Sequence, residues 1–354
     1  MNYAVILAGG VGERFWPAST PEMPKQLLAL ISDKSMLLET AERLDGVVGA
    51  DHQYVFTNAA LLDAVAAECP AVPVAMLVGE PEGKNTAPAI GLAAGLVAGS
   101  DPDGVLLALP ADHAVANVEA FRQSVQTAFQ IAAENDVLVL FGVVPDRPEV
   151  GYGYVERGSS FGPGAGEGFE VVAFLEKPDA KTARDFYSGG RHYWNSGLFC
   201  GQAQVFLAEY ERHLPLMHRA IEVAVRDWED DPVAACKRYY TTVESTSIDY
   251  GIMQKTDRAV VLPAADWGWD DVGSWEALAR WVKTSAEGNT QLGDCVLEEC
   301  RDVIAFCRQG QVAALGISDC VIVRTEEATL VVGRDMLDKL KPFVRAVTSD
   351  RPDR

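Results

Sequence analysis

The sequence predicts an α/β protein: a Rossmann-like, mixed but mainly parallel sheet with helices on both faces, followed by a small β-rich, β-helix-like domain. Three observations predict it. Through about residue 144, short β-rich runs alternate with helical stretches, the spacing of βαβ units. The segments after the first, third and fourth of these strands are rich in Gly, Pro and polar residues, as binding loops are. After the polar run 285–291 the rhythm changes to closely spaced short strands. Two domains are therefore expected, 1–285 and 286–354.

In chain order, strands are expected at 3–7, 53–57, 74–78, 104–109 and 137–142, with helices near 36–45, 59–68, 86–99 and 118–135. Past residue 145 the pattern loosens. Residues 151–156 and 169–176 read as strands flanking a Gly-rich connection at 158–168, a hairpin or lid; 193–201 is another strand, with helices near 203–229. The tail gives strands at 294–298, 302–307, 312–316, 320–325 and 328–332, and a closing helix at 334–346.

Composition removes several function classes. The 354 residues carry 51 Asp plus Glu against 30 Lys plus Arg, a formal charge of −21. That balance argues against nucleic-acid and anionic-membrane partners, which need a basic footprint. A small phosphorylated ligand needs only a few placed cations. No apolar run reaches the roughly 18 residues of a membrane span, and no secretory signal opens the chain, so a cytoplasmic protein is expected. Seven cysteines without CxxC spacing do not form a disulfide framework or a zinc site, and Cys69, Cys200 and Cys236 read as small buried hydrophobes.

Several segments carry chemistry. Leu7 to Pro17 reads LAGGVGERFWP: glycines let backbone N–H groups approach an anion, and Arg14 adds a bidentate donor. The run misses the dinucleotide fingerprint, because Phe15 stands where the third glycine belongs. Lys25, in a proline-marked loop, fits either a phosphate ligand or a solvated surface lysine. Residues 79–86 resemble a P-loop but are one residue short; Asn85 or Thr86 serves equally as the N-cap of the helix that follows. Asp112, after a buried strand, and Asp270-Asp271, in a far segment, suit Mg²⁺, a helix cap or a basic partner. No nucleophile motif is present.

Taken together, these segments resemble the sugar-nucleotide pyrophosphorylases, and among them the mannose-specific guanylyltransferases. The family signature AGGxGxRxWPxSxxxxPKQ is matched by Ala8 to Ser19 with Pro24-Lys25-Gln26. Further matches are Gly79-Glu80-Pro81, Asn85-Thr86-Ala87-Pro88, Pro110-Ala111-Asp112-His113 and Gly151-Tyr152-Gly153-Tyr154. Phe174 to Pro178, Trp194-Asn195-Ser196-Gly197, Ser247-Ile248-Asp249-Tyr250 and Asp271 to Trp275 complete the set. Lys84 stands where many members carry Arg, and Asp270 where Ser is common, so the family pattern places the metal role on Asp271.

The resemblance implies a nucleotidyltransferase (GT-A-like) catalytic domain over 1–285 that joins GTP and mannose 1-phosphate into GDP-mannose and pyrophosphate. Mg²⁺ would be the cofactor, with in-line attack and no covalent intermediate. Arg14 and Lys25 would be catalytic, and Asp112 and Asp271 would hold the metal. Leu7, Ala8, Gly9, Gly10, Gly12, Glu80, Lys84, Asn85, Thr86 and Pro110 would receive the nucleotide; Gly153, Glu176, Lys177, Asn195 and Gly197 would grip the sugar phosphate. The length leaves no space for the isomerase domain of some longer relatives, so one activity is expected. A homodimer through the β-rich tail is the expected assembly. The competing readings are another base or sugar on the same fold, a catalytically silent nucleotide-sugar sensor, and a dinucleotide-binding oxidoreductase.

Overall fold

A computed structural model describes residues 1–162, 168–264 and 267–349. The chain divides into two compact units, each assembled from separate stretches. The first comprises Met1–Gly9, Thr40–Ala111 and Val115–Trp269; the second comprises Gly10–Glu39, Asp112–Ala114 and Asp270–Arg354.

The strands up to residue 263 are β1 (Asn2–Ala8), β2 (Gln53–Asn58), β3 (Leu77–Glu80), β4 (Val105–Pro110), the two-residue β5 (Ala114–Val115), β6 (Leu138–Val143), β7 (Tyr154–Phe161), β8 (Gly168–Leu175), β9 (His192–Gln202) and β10 (Ala259–Pro263). Nine of them form the sheet of the first unit, in the order β3-β2-β1-β4-β9-β6-β10-β8-β7. Seven run one way and β8 and β9 oppose them, so the sheet is mixed and mainly parallel. Consecutive residues of β4 and β6 are buried. Because side chains alternate between faces, that pattern requires both faces to be covered. The covering helices are α1 (Met36–Arg43), α2 (Leu62–Glu68), α3 (Thr86–Ser100), α4 (Val118–Glu134), α5 (Ala180–Gly189), α6 (Ala203–His213), α7 (Pro215–Arg226) and α8 (Pro232–Thr242). None of the described helices is long and apolar enough to cross a membrane.

In this unit β3, α8 and β10 depart from the sequence reading. Residues 74–76 form a short 3₁₀ turn after Pro73, with Val74 exposed, so β3 starts three residues late. The helices expected near 203–229 are α6 and α7, parted at Leu214, where Pro215 lacks the N–H to continue α6 and opens α7 instead. Helix α8 and strand β10 were not expected; Tyr239-Tyr240-Thr241-Thr242 has β-type propensity, which tertiary packing overrides. The Gly-rich connection at 158–168 lies partly outside the described residues; the strands beside it, β7 and β8, pair antiparallel.

After the two-residue β11 (Trp269–Asp270), the second unit contains α9 (Trp275–Trp281), β12 (Thr290–Glu298), β13 (Ile304–Leu315), β14 (Cys320–Arg324), β15 (Thr329–Gly333) and α10 (Leu340–Ser349). Its sheet runs β12-β13-β14-β15, parallel except for the last pair. Residues 14 to 17 apart in sequence stack directly, Thr290 on Ile304 and Ile304 on Val321 among them, which is the winding of a β-helix-like coil. The two strands expected at 302–307 and 312–316 are one, β13, whose pairing with β12 shifts register across the exposed Arg308 to Gln311. The sequence reading put all of 1–285 in one domain. By packing, residues 10–39, 112–114 and 270–285 go with the tail. The reason is an aromatic column: the Phe15 ring lies 4.9 Å from Trp275, and Trp275 lies 5.4 Å from Phe306.

Candidate active site

In the second unit, Gly12 adopts φ 73°, which only a residue without a side chain takes up cheaply. A Cβ there would stand 2.5 Å from Cβ of Lys25, so the turn also admits that lysine. Ser19 Oγ donates to the Gly12 carbonyl at 2.6 Å and Lys25 N to the Val11 carbonyl at 3.2 Å, fixing the two loops to each other. The Lys25 side chain is only 5 % exposed, and its three N–H groups are all used. They reach the Asp112 carbonyl at 2.9 Å, Asp112 Oδ2 at 2.9 Å and the Asp271 carbonyl at 2.8 Å. One ammonium thus gathers segments 87 and 246 residues away.

The Asp112 side chain remains 38 % exposed. Desolvation pushes its carboxyl up, but the charges of Lys25 and His113 and the Lys25 hydrogen bond outweigh it and hold it below the ordinary range. Asp271 Oδ1 accepts the Gly273 N–H at 3.0 Å, and exposed Arg14 donates to the Gly273 carbonyl at 3.3 Å. The neighbouring Asp270 is differently employed. Both of its oxygens are taken, Oδ2 by Arg280 Nη2 at 2.6 Å and Nε at 3.1 Å, and Oδ1 by the Val272 N–H at 2.8 Å. Of the adjacent pair, Asp270 is the one committed to Arg280.

The donor set fits a hard divalent cation. Asp112 and Asp271 offer oxygen only, and Asp112 is kept ionised. No cluster of three or more candidate ligands occurs among the described residues. A two-carboxylate site of this kind is completed by water and substrate phosphates.

The first unit holds the remaining predicted residues. Leu7 and Ala8 end β1: the Leu7 carbonyl accepts Ala111 N at 3.0 Å, and the Ala8 carbonyl accepts Thr57 Oγ1 at 3.1 Å. Pro110 is Leu7's partner in the β1–β4 register. Glu80 closes β3, almost fully buried, and accepts the Tyr240 hydroxyl on Oε1 at 2.7 Å. Its other oxygen faces Gly9, where a Cβ would stand 3.0 Å away. Burial raises the Glu80 carboxyl to about 7, against the smaller opposing effect of the Tyr240 bond. Lys84 donates to the Val243 carbonyl at 2.8 Å and pairs with Glu82 at 3.1 Å. Asn85, at φ 67°, caps α3 by accepting Thr86 N at 2.9 Å, while Thr86 Oγ1 accepts Ile248 N at 3.0 Å.

A second group in that unit surrounds Asn195. Its backbone N–H donates to the Gly153 carbonyl at 2.8 Å, its Oδ1 accepts Gly197 N at 3.1 Å, and its Nδ2 donates to Asp249 Oδ1 at 2.9 Å. Lys177, at φ 51°, bonds Glu176 at 2.7 Å. Glu176 Oε2 occupies the space a Cβ on Gly153 would need, so a larger residue there would push that carboxylate aside. Burial first, then the Glu176 charge, raise the Asp249 carboxyl to about 6.

The predicted residues therefore fall into three constellations: Gly12, Arg14, Lys25, Asp112 and Asp271; the Gly9–Glu80 and Lys84–Thr86 group; and Gly153, Glu176, Lys177, Asn195 and Gly197. Gly10 is exposed. Sequence reasoning missed two members, Tyr240 and Asp249. The second lay within a quoted motif, but only the fold shows what it holds.

The sequence pattern of the nucleotidyl transferase family matches residues 3–287. The chain is 39 % identical to a mannose-1-phosphate guanylyltransferase of Salmonella typhimurium, covering 98 % of this chain and 73 % of that one. It is 37 % identical to a mannose-1-phosphate guanylyltransferase of Escherichia coli, covering 98 % and 74 %. Among solved structures it resembles one titled mannose-1-phosphate geranyltransferase, from Thermus thermophilus, with a TM-score of 0.87, 33 % identity and coverage of 98 % and 99 %.

Proposed function

We propose that this chain, which belongs to the nucleotidyl transferase family, transfers GMP from GTP to α-D-mannose 1-phosphate, giving GDP-mannose and pyrophosphate. An oxygen of the sugar phosphate attacks the α-phosphorus, the bond to the bridging β-oxygen breaks, and the electron pair leaves with pyrophosphate. The attacking oxygen is already ionised, so no general base is required; the protein's task is positioning and charge neutralisation.

What supports the reading most is the Lys25 junction. It is a buried cation joined to Asp112 and to the Asp271 backbone, in the segment that also carries Arg14. Arg14 binds the triphosphate oxygens, and Lys25, whose three N–H groups are already taken, adds its positive charge beside them. Lys25 also holds the two aspartate segments in register. Asp112 and Asp271 would hold Mg²⁺, which when bound neutralises and orients the phosphates. Leu7 to Gly9, Glu80, Asn85 and Thr86 receive the nucleoside, with Glu80 as the acceptor for N–H groups of guanine. Glu176 and Asn195 take sugar hydroxyls, and Lys177 the sugar phosphate. The transfer chemistry is assigned to 1–285 and a supporting role to 286–354.

A panel of nucleoside triphosphates and sugar 1-phosphates with Mg²⁺, read by pyrophosphate release, tests this. GTP with mannose 1-phosphate should give the highest kcat/KM. A different preferred pair would overturn the substrate assignment, and no turnover with any pair would overturn the enzymatic one.

A further inference from the structure

Between α7 and α8, within the first unit, lies a cavity of about 790 Å³ that the proposed reaction does not use. That volume falls within the roughly 300–1,000 Å³ of small-molecule pockets. Buried Ala220, Ala224 and Ala235 leave it open, and Leu216, 75 % exposed, stands at its edge. An aliphatic side chain so placed loses little water by staying put and gains by covering an apolar ligand.

The charges at the cavity run against the rest of the molecule. The chain has 51 acids to 30 bases, yet Arg219, Lys237 and Arg238 line the cavity and no acid does. Arg238 is held by Asp227 at 2.9 Å. Arg219 and Lys237 have no acidic partner among the described residues. An apolar hollow with two unpaired cations is complementary to a ligand with an apolar body and one anionic group.

The same helix reaches the nucleotide constellation. Tyr239 lines the cavity and donates its hydroxyl to the Pro88 carbonyl, in the first turn of α3, at 2.9 Å. Next to it Tyr240 donates to Glu80, and Cys236 Sγ donates to the Gly79 carbonyl at 3.5 Å. Just beyond the helix, the Val243 carbonyl receives Lys84. A ligand wedged between α7 and α8 bears on the element that fixes Gly79, Glu80, Lys84 and Pro88.

We propose that this cavity is a second binding site, for an amphipathic anion bearing one phosphate or carboxylate, and that its occupation alters nucleotide affinity through α8. The coupling half rests on Glu80 and Lys84 serving the nucleotide; the binding half does not. Linkage makes the coupling reciprocal, so nucleotide must change affinity at the cavity by the same factor.

The probe is octyl phosphate below its micellar range, titrated calorimetrically into the full chain, with octyl glucoside as the neutral control. Saturable binding tighter than about 1 mM is expected. Octyl glucoside should bind at least ~10-fold more weakly, and so should octyl phosphate to the exposed double variant Arg219→Glu, Lys237→Glu. Saturating probe should shift the Kd for GTP by roughly 5-fold or more, and that shift should vanish in the double variant. No saturable binding, equal binding of the neutral probe, or binding unchanged by the charge reversals would overturn the site. Binding with an unmoved GTP Kd would overturn the coupling. A dimer that the double variant dissolves in sedimentation would give the groove to a second copy instead. Failure of GTP itself to bind would strike the proposed reaction while the octyl phosphate contrast still decided the site.

Discussion

Glu80 closes β3 in the first unit, and Asp112 lies two residues beyond β4 in the second; their surroundings drive the two carboxyls in opposite directions. Asp112 keeps partial contact with solvent and faces a buried ammonium, and its carboxyl is held low. Glu80 is closed in with a neutral phenol and rises to about 7; Asp249, closed in with an amide, rises to about 6. A carboxylate pinned in its charged form suits a metal and phosphates. One near neutrality at physiological pH suits hydrogen-bond recognition. The second unit's Asp112 is arranged for charge, the first unit's Glu80 and Asp249 for reading donors.

The largest expected effect tests the charged side. Asp112→Asn and Asp271→Asn should each lower pyrophosphate release by roughly 10²-fold or more while keeping a cooperative thermal transition. Near-normal rates in both at ordinary Mg²⁺ would remove the distinction between the units.

Next comes Glu80→Gln, which acts on the pH dependence of stability. The folded-state value of Glu80 lies above the ordinary 4.5. Between about 4.5 and 7 the folded state therefore retains a proton that the unfolded state has released, and stability falls as pH rises through that window. At about 1.4 kcal/mol per unit, the full loss is roughly 3 kcal/mol, an upper figure. Urea unfolding at pH 5 and pH 8 should show this decline in the parent and a flatter profile in the glutamine variant. Parallel profiles would mean that Glu80 is ionised in the folded protein.

The smallest effect belongs to Asp249→Ala. Loss of the acceptor for Asn195 Nδ2 should raise KM for mannose 1-phosphate by about 10-fold and leave kcat within a few-fold, as for a group that positions rather than reacts. A fall in kcat with KM unmoved would place Asp249 in the reacting machinery.

Much of the first unit's sheet was legible because its strands are contiguous apolar runs with glycine-rich exits, both local signals. The same locality hid the rest. The bond from Tyr240 to Glu80 spans 160 positions and rises from a helix whose last four residues favour strand. No spacing rule separates Asp270 from Asp271; Arg280, ten residues on, does so by occupying the first. Asn85 was legible as a cap because capping is decided within a residue or two. The domain boundary expected at 285 took no account of Phe15, which packs on Trp275, itself against Phe306, and so ties an early loop to the tail.

That tie reaches into how the protein is made. The stretch Gly10–Glu39 leaves the ribosome some 230 residues before Asp270, the start of the segment that completes its unit. At roughly 5–20 residues per second, the interval is tens of seconds. Throughout it, the loop carrying Arg14 and Lys25 has neither Trp275 nor Phe306 to close its apolar side. The nascent chain therefore carries the loop of Arg14 and Lys25 unfinished while the first unit's strands are still emerging, and the segment from Asp270 onward completes it.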